Sequence, residues 1–103
     1  MSAWVVQLGA YGSPPIAKEK WMSMARVNDR PAAFPVLTSQ ATVNGWTFHR
    51  IAISGFGSRA DAQTLCQSIK AQHGQCFVRE GVPNATPQRW AVASTRGRQF
   101  ASR

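Results

Sequence analysis

The chain of 103 residues is long enough for one domain and too short for two. Its hydrophobic fraction of 44% supports a modest core, and no apolar run approaches the length of a bilayer-spanning helix. Twelve Lys and Arg against four Asp and Glu leave a formal charge of +8, which disfavours a cationic ligand and favours an anionic polymer: nucleic acid, cell-wall glycan or an anionic membrane. The opening Met1-Ser2-Ala3-Trp4 lacks the charged and then apolar stretches of a signal peptide, so none is expected there.

Residues 4–11 are rich in strand formers and stop at the breaker Gly12-Ser13-Pro14. Alternation predicts Val6 and Leu8 on one face, with Val5, Gln7 and Gly9 on the other. Ser13 can cap a helix whose first turn tolerates Pro14 and Pro15. Ala17, Trp21, Met24 and Ala25 form its apolar stripe, and the helix is expected to end by Asp29-Arg30-Pro31. Residues 34–43 and 46–54 read as two strands joined at Asn44-Gly45, a strong hairpin signal. In the second of these, His49, Ile51 and Ile53 face one way and Phe48, Arg50 and Ala52 the other. Ser58 and Asp61 open a second helix. Its stripe is Ala62, Leu65, Cys66, Ile69 and His73, and Gly74 sits where a left-handed cap belongs. A last strand over 75–79 turns Cys76 and Val78 one way and Phe77 and Arg79 the other.

This order predicts an α+β fold: a split βαβ (βαββαβ, RNP- or ferredoxin-like) sandwich, one four-stranded antiparallel sheet with two helices on one face. Right-handed crossovers place the first and third strands in the middle. The helices then cover Val6, Leu8, Ile51, Ile53, Cys76 and Val78. The opposite face is left open and carries Gln7, Phe48, Arg50, Phe77 and Arg79, which read as a recognition platform. The domain is expected over residues 1–80. Residues 81–103 hold Arg89, Arg96, Arg98 and Arg103 and no acid, and are expected to be a basic extension, either mobile or loosely docked, or with one short extra strand near 88–94.

Cys66 and Cys76 both point at the layer between helix and sheet, which admits either a disulfide or two reduced core thiols. Their arrangement with His49 and His73 has no paired zinc-finger spacing, so no metal or other cofactor is expected. Both histidines read as structural. None of the four carboxylates falls on the open face, and no phosphate loop or hydrolase motif occurs, so the chain reads as a binding module without catalytic residues. The same topology serves RNA recognition, where aromatics on the central strands stack bases. The third strand lacks that fold's sequence pattern and offers a single ring, Phe48, beside Arg50, so an RNA-binding domain is the alternative reading.

Three blocks carry a resemblance: Trp4-Val5-Val6-Gln7-Leu8-Gly9-Ala10-Tyr11, the run from His49 to Ala62, and Gln75-Cys76-Phe77-Val78. In that order, over residues 4–80, they resemble the SPOR (sporulation-related repeat) domain, whose signature opens V-Q-L-G-S/A-F and continues through Y-R-V-x-V-G-P-F to S-R-x-x-A. Ala52 stands where that family often has a second Arg, and Ser54-Gly55 replaces Gly-Pro. The resemblance implies the split βαβ fold and non-catalytic binding of peptidoglycan, preferring glycan strands that lack stem peptides. It also implies a periplasmic or cell-envelope module of a larger exported protein, targeted to the division septum. No nucleic acid is then expected, contact with membrane comes only through an anchor of the full-length protein, and the module is a monomer. Matched by position, the implied glycan-binding residues are Ala10, Phe48, Arg50 and Phe77, with Gln7 and Tyr11 from the signature strand; Arg79 rests on strand parity alone. Periplasmic residence favours the Cys66–Cys76 disulfide.

Overall fold

The computed structural model describes residues 4–81, 85–88 and 90. The elements run β1 (Trp4–Tyr11), α1 (Pro14–Val27), α2 (Asp29–Ala32), β2 (Val36–Val43), β3 (Trp46–Ile53), α3 (Arg59–Ala71), β4 (Phe77–Glu80) and β5 (Thr86–Gln88). The sheet order is β4-β1-β3-β2-β5, so β1 and β3 are central as the crossover rule requires. Every paired neighbour is antiparallel. The sheet has five strands rather than four. The added strand, β5, pairs along β2 and lies before most of the extra strand expected at 88–94; residues 89 and 91–94 lie outside the described residues, as do Arg96, Arg98 and Arg103.

Local signals set the helix boundaries. The Ser13 side chain accepts from the Ile16 amide at the start of α1, whose first two residues are prolines that lack a donor to leave unpaired. The helix stops at Val27 because Asn28 turns extended. Its Oδ1 then accepts from the Arg30 amide at 3.2 Å and caps the short α2. Pro31 is accommodated in the first turn of that helix, so a proline that ends one helix sits inside the next. Ser58 caps α3 by accepting from the Asp61 amide at 3.1 Å. At the far end His73, not Gly74, takes the left-handed conformation, with φ 66°. The Gly74 amide donates to the Ile69 carbonyl and the His73 amide to that of Lys70, which is a Schellman closure. His73 is consequently exposed rather than on the buried stripe.

The core lies between the helices and one face of the sheet. Ala17, Trp21 and Ala25 of α1 and Ala62, Leu65 and Ile69 of α3 close over Val6, Leu8, Val36, Ile51 and Ile53. Phe34 stacks on Phe56 with ring centroids 4.5 Å apart, tying the loops at one end of the sheet together. Cys66 and Cys76 form a disulfide between α3 and the lead-in to β4, with Cα atoms 5.5 Å apart.

The simple alternation expected for β1 fails after Leu8. Gln7 pairs with Ala52, yet Gly9 pairs with Ile51, so one residue of β1 has no counterpart. This β-bulge reverses the parity of everything beyond it. Gly9 and Tyr11 turn to the helix side and Ala10 to the open side. The Tyr11 ring folds back over Gly9, where an added Cβ would lie 2.7 Å from its Cζ. Burial raises the Tyr11 pKa above its ordinary 10.0. A raised folded value stabilises the protein below the unfolded pKa, and that contribution fades as pH rises through the folded value. As Tyr11 is the only tyrosine in the chain, phenolate absorbance reads it alone. The expected midpoint lies above 10, and Tyr11→Phe should lose less stability than the native chain on passing into that alkaline range. A midpoint at or below 10 would contradict the packing of the ring over Gly9.

Candidate functional site

Register assigns the open face row by row. Phe77 of β4, Gln7 of β1, Ala52 of β3 and Leu37 of β2 form one row across the sheet. Ala10, Arg50 and Ser39 form the next. Phe48 with Ala41, and then Trp46 with Val43, continue along the β2–β3 hairpin. Arg79 lies beside Val5 at the opposite end. The floor is made of small residues, and Val5 and Ala52 are 4% and 3% exposed even though no helix covers them. Larger side chains stand around it: Phe77 is 60% exposed, Phe48 37% and Trp46 73%.

Two guanidiniums serve this face in different ways. Arg79 Nη1 donates to Gln7 Oε1 at 3.0 Å across the β1–β4 pair. Arginine is donor-only, so the amide turns its oxygen to Arg79 and its NH2 away from it. Gln7 therefore offers a ligand two donors, while one of the two lone pairs of its oxygen is already engaged. Arg50 has no hydrogen-bond or ion-pair partner among the described residues, and its Nε is buried without one. It sits between Ala10 and Ser39, two short side chains, and is partly exposed. Glu80 pairs with Trp4 on the helix side, and the remaining acids belong to helices, so the described part of the open face carries positive charge alone. The arrangement suits a flat, partly apolar ligand bearing carboxylates.

Of the residues singled out from sequence, Gln7, Ala10, Phe48, Arg50, Phe77 and Arg79 share the open face. The bulge puts Ala10 there and takes Tyr11 away to the helix side, opposite His49. Trp46 was not among them, although it lies two residues before Phe48 and strand parity alone places both on one face. The expectation that β3 offers a single ring is thus corrected to two. His49 lies on the helix side as expected, lining a groove of about 490 Å³ with Gln40, Thr38, Gln88 and Trp90.

Comparison with known proteins adds to the geometry. The family model described as SPOR domain matches residues 1–80. The cell division protein FtsN of Caulobacter vibrioides (strain NA1000 / CB15N) is 33% identical over 75 residues, an alignment covering 72% of this chain and 28% of that protein. The chain thus corresponds to little more than a quarter of that relative. No solved structure matches the chain significantly.

Proposed function

The chain belongs to the SPOR domain family, and on that premise we propose that its open sheet face binds peptidoglycan glycan strands, preferring those stripped of stem peptides. The observation that carries this reading is Arg50, a guanidinium without a partner among the described residues, on a face whose described part lacks acids, between exposed rings. A stripped strand presents the free lactyl carboxylate of each muramic acid, which Arg50 can hold bidentately. It also presents apolar sugar faces for Phe48 and Phe77, and acetamide oxygens for the NH2 of Gln7. A stem peptide converts the carboxylate to an amide and removes the charge that Arg50 would meet. The face works by binding alone: its described charged side chains are Arg50 and Arg79, with no carboxylate or imidazole beside them to act as acid or base. The similarity to a cell division protein supports a periplasmic module that carries a larger host to the septum.

Sacculi test this directly. The chain should sediment with them more completely after an amidase has removed the stem peptides than before. Equal retention before and after treatment would refute the preference. Retention that instead follows added RNA and collapses steeply with salt would point to phosphate recognition.

A further inference from the structure

The β2–β3 hairpin runs past the rest of the sheet. Pairing of β1 with β3 ends at Tyr11 and His49, whereas β2 and β3 stay paired out to Val43 and Trp46. Residues 42–48 are therefore a two-stranded finger, exposed along its whole length. The finger is held in shape. Asn44 and Gly45 both take positive φ, 52° and 82°, which matches the twist of a two-residue turn to its strands. On the helix side of the finger the Thr42 and Thr47 hydroxyls hydrogen-bond at 3.3 Å. On the open side it carries Val43, Trp46 and Phe48, all exposed. Such an apolar tip has no packing role in the described fold, and its side chains continue the line of Arg50 without a break.

We propose that this finger is an outer subsite of the glycan face, with Trp46 stacking on a sugar beyond those held at Arg50 and Phe48, so that affinity rises with strand length. The proposal rests on the glycan reading above. Three observations fix the occupant. Arg50, Phe48 and Trp46 project from alternate positions of one strand at intervals of about 7 Å. That interval is comparable to one pyranose ring and its linkage. Ala41 lies beside Phe48 on β2 and leaves room above the strand. From the row of Ala52 to Trp46 is about 20 Å, which a disaccharide cannot span. A sugar chain running along β3 would meet the acid-binding group first and the most exposed ring last. Trp46 then acts as a length-determining residue, separate from the charge recognition at Arg50.

Stem-free glycan fragments of defined length test this by calorimetry on the full chain. The native protein should bind an octasaccharide more tightly than a disaccharide. Trp46→Ala should weaken octasaccharide binding by about tenfold and leave disaccharide binding unchanged, flattening the dependence on length. Trp46→Tyr, which keeps a ring, should recover most of the loss. An unchanged melting temperature in both variants excludes misfolding. Two results would overturn the subsite: Trp46→Ala binding every length as the native chain does, or weakening all lengths equally. In either case glycan binding that is still lost on Arg50→Ala leaves the parent reading standing. Failure of the native chain to bind any fragment would instead remove that reading. Sedimentation with anionic phospholipid vesicles that depends on Trp46, without any length effect on glycan, would reassign the finger to a lipid surface.

Discussion

Arg50→Ala is expected to weaken binding to amidase-treated sacculi by roughly 10- to 100-fold, with the fold intact. The size follows from the interaction: a hydrogen bond to a charged partner contributes about 1.5–3 kcal/mol, and about 1.4 kcal/mol is a factor of ten. The intact fold follows from what Arg50 lacks. It has no partner among the described residues, so its removal orphans nothing, and the buried Nε that now goes unsatisfied disappears with it. Stability should shift by less than about 1 kcal/mol. Arg50→Lys should recover part of the affinity, keeping the charge and losing the planar fork. Arg79→Ala is the informative contrast. Arg79 already spends one donor on Gln7, and removing it frees the Gln7 amide to rotate, so its effect should be smaller and less dependent on stem-peptide removal. Normal binding by a stably folded Arg50→Ala protein would take the site off this face.

How legible each feature is from sequence depends on how local its cause is. The hairpin at Asn44-Gly45 and the caps at Ser13 and Ser58 depend on a few adjacent residues, and each forms where those residues stand. The central placement of β1 and β3 follows from handedness alone. The bulge at Leu8 has a different origin. Val6 and Leu8 both remain on the helix side across it, so the apolar pattern runs straight through, and the sole local trace is a glycine within a strand. That one irregularity decides which of Ala10 and Tyr11 joins the site. The end of α3 misleads in a related way. Gly74 is needed for close approach rather than for its dihedral: a Cβ there would lie 2.6 Å from Ile69 Cγ2 and 3.1 Å from its carbonyl oxygen. The left-handed position falls to His73 instead. Strand β5 hides behind Pro87, which a sheet admits at its edge, as here beyond β2.

Severing the Cys66–Cys76 disulfide is expected to lower stability by roughly 2.7 kcal/mol, the chain-entropy value for a loop of its sequence separation of 10. For a domain of this size that corresponds to a fall of roughly 10–20 °C in the melting temperature. The effect should be larger at β4 than elsewhere. This strand has four residues and, among the described residues, lies at the edge of the sheet and pairs only with Trp4–Gln7 of β1. The disulfide fixes its lead-in to α3, whose Leu65 and Ile69 are anchored in the core. Phe77 follows Cys76 directly, and Arg79 holds Gln7 from the same strand. Loosening β4 therefore loosens one wall of the glycan face while the hairpin finger keeps its own turn and pairing. Cys66→Ala with Cys76→Ala should speed amide exchange at 77–80 far more than at 41–48. It should also weaken contacts at the Phe77 end before those at Trp46. The same loss of melting temperature should appear in the native chain on adding reductant. If reduced and oxidised protein melt within about 2 °C of each other, the bridge does not set the stability of this domain. The order of the β4 wall would then have to come from its pairing with β1 alone.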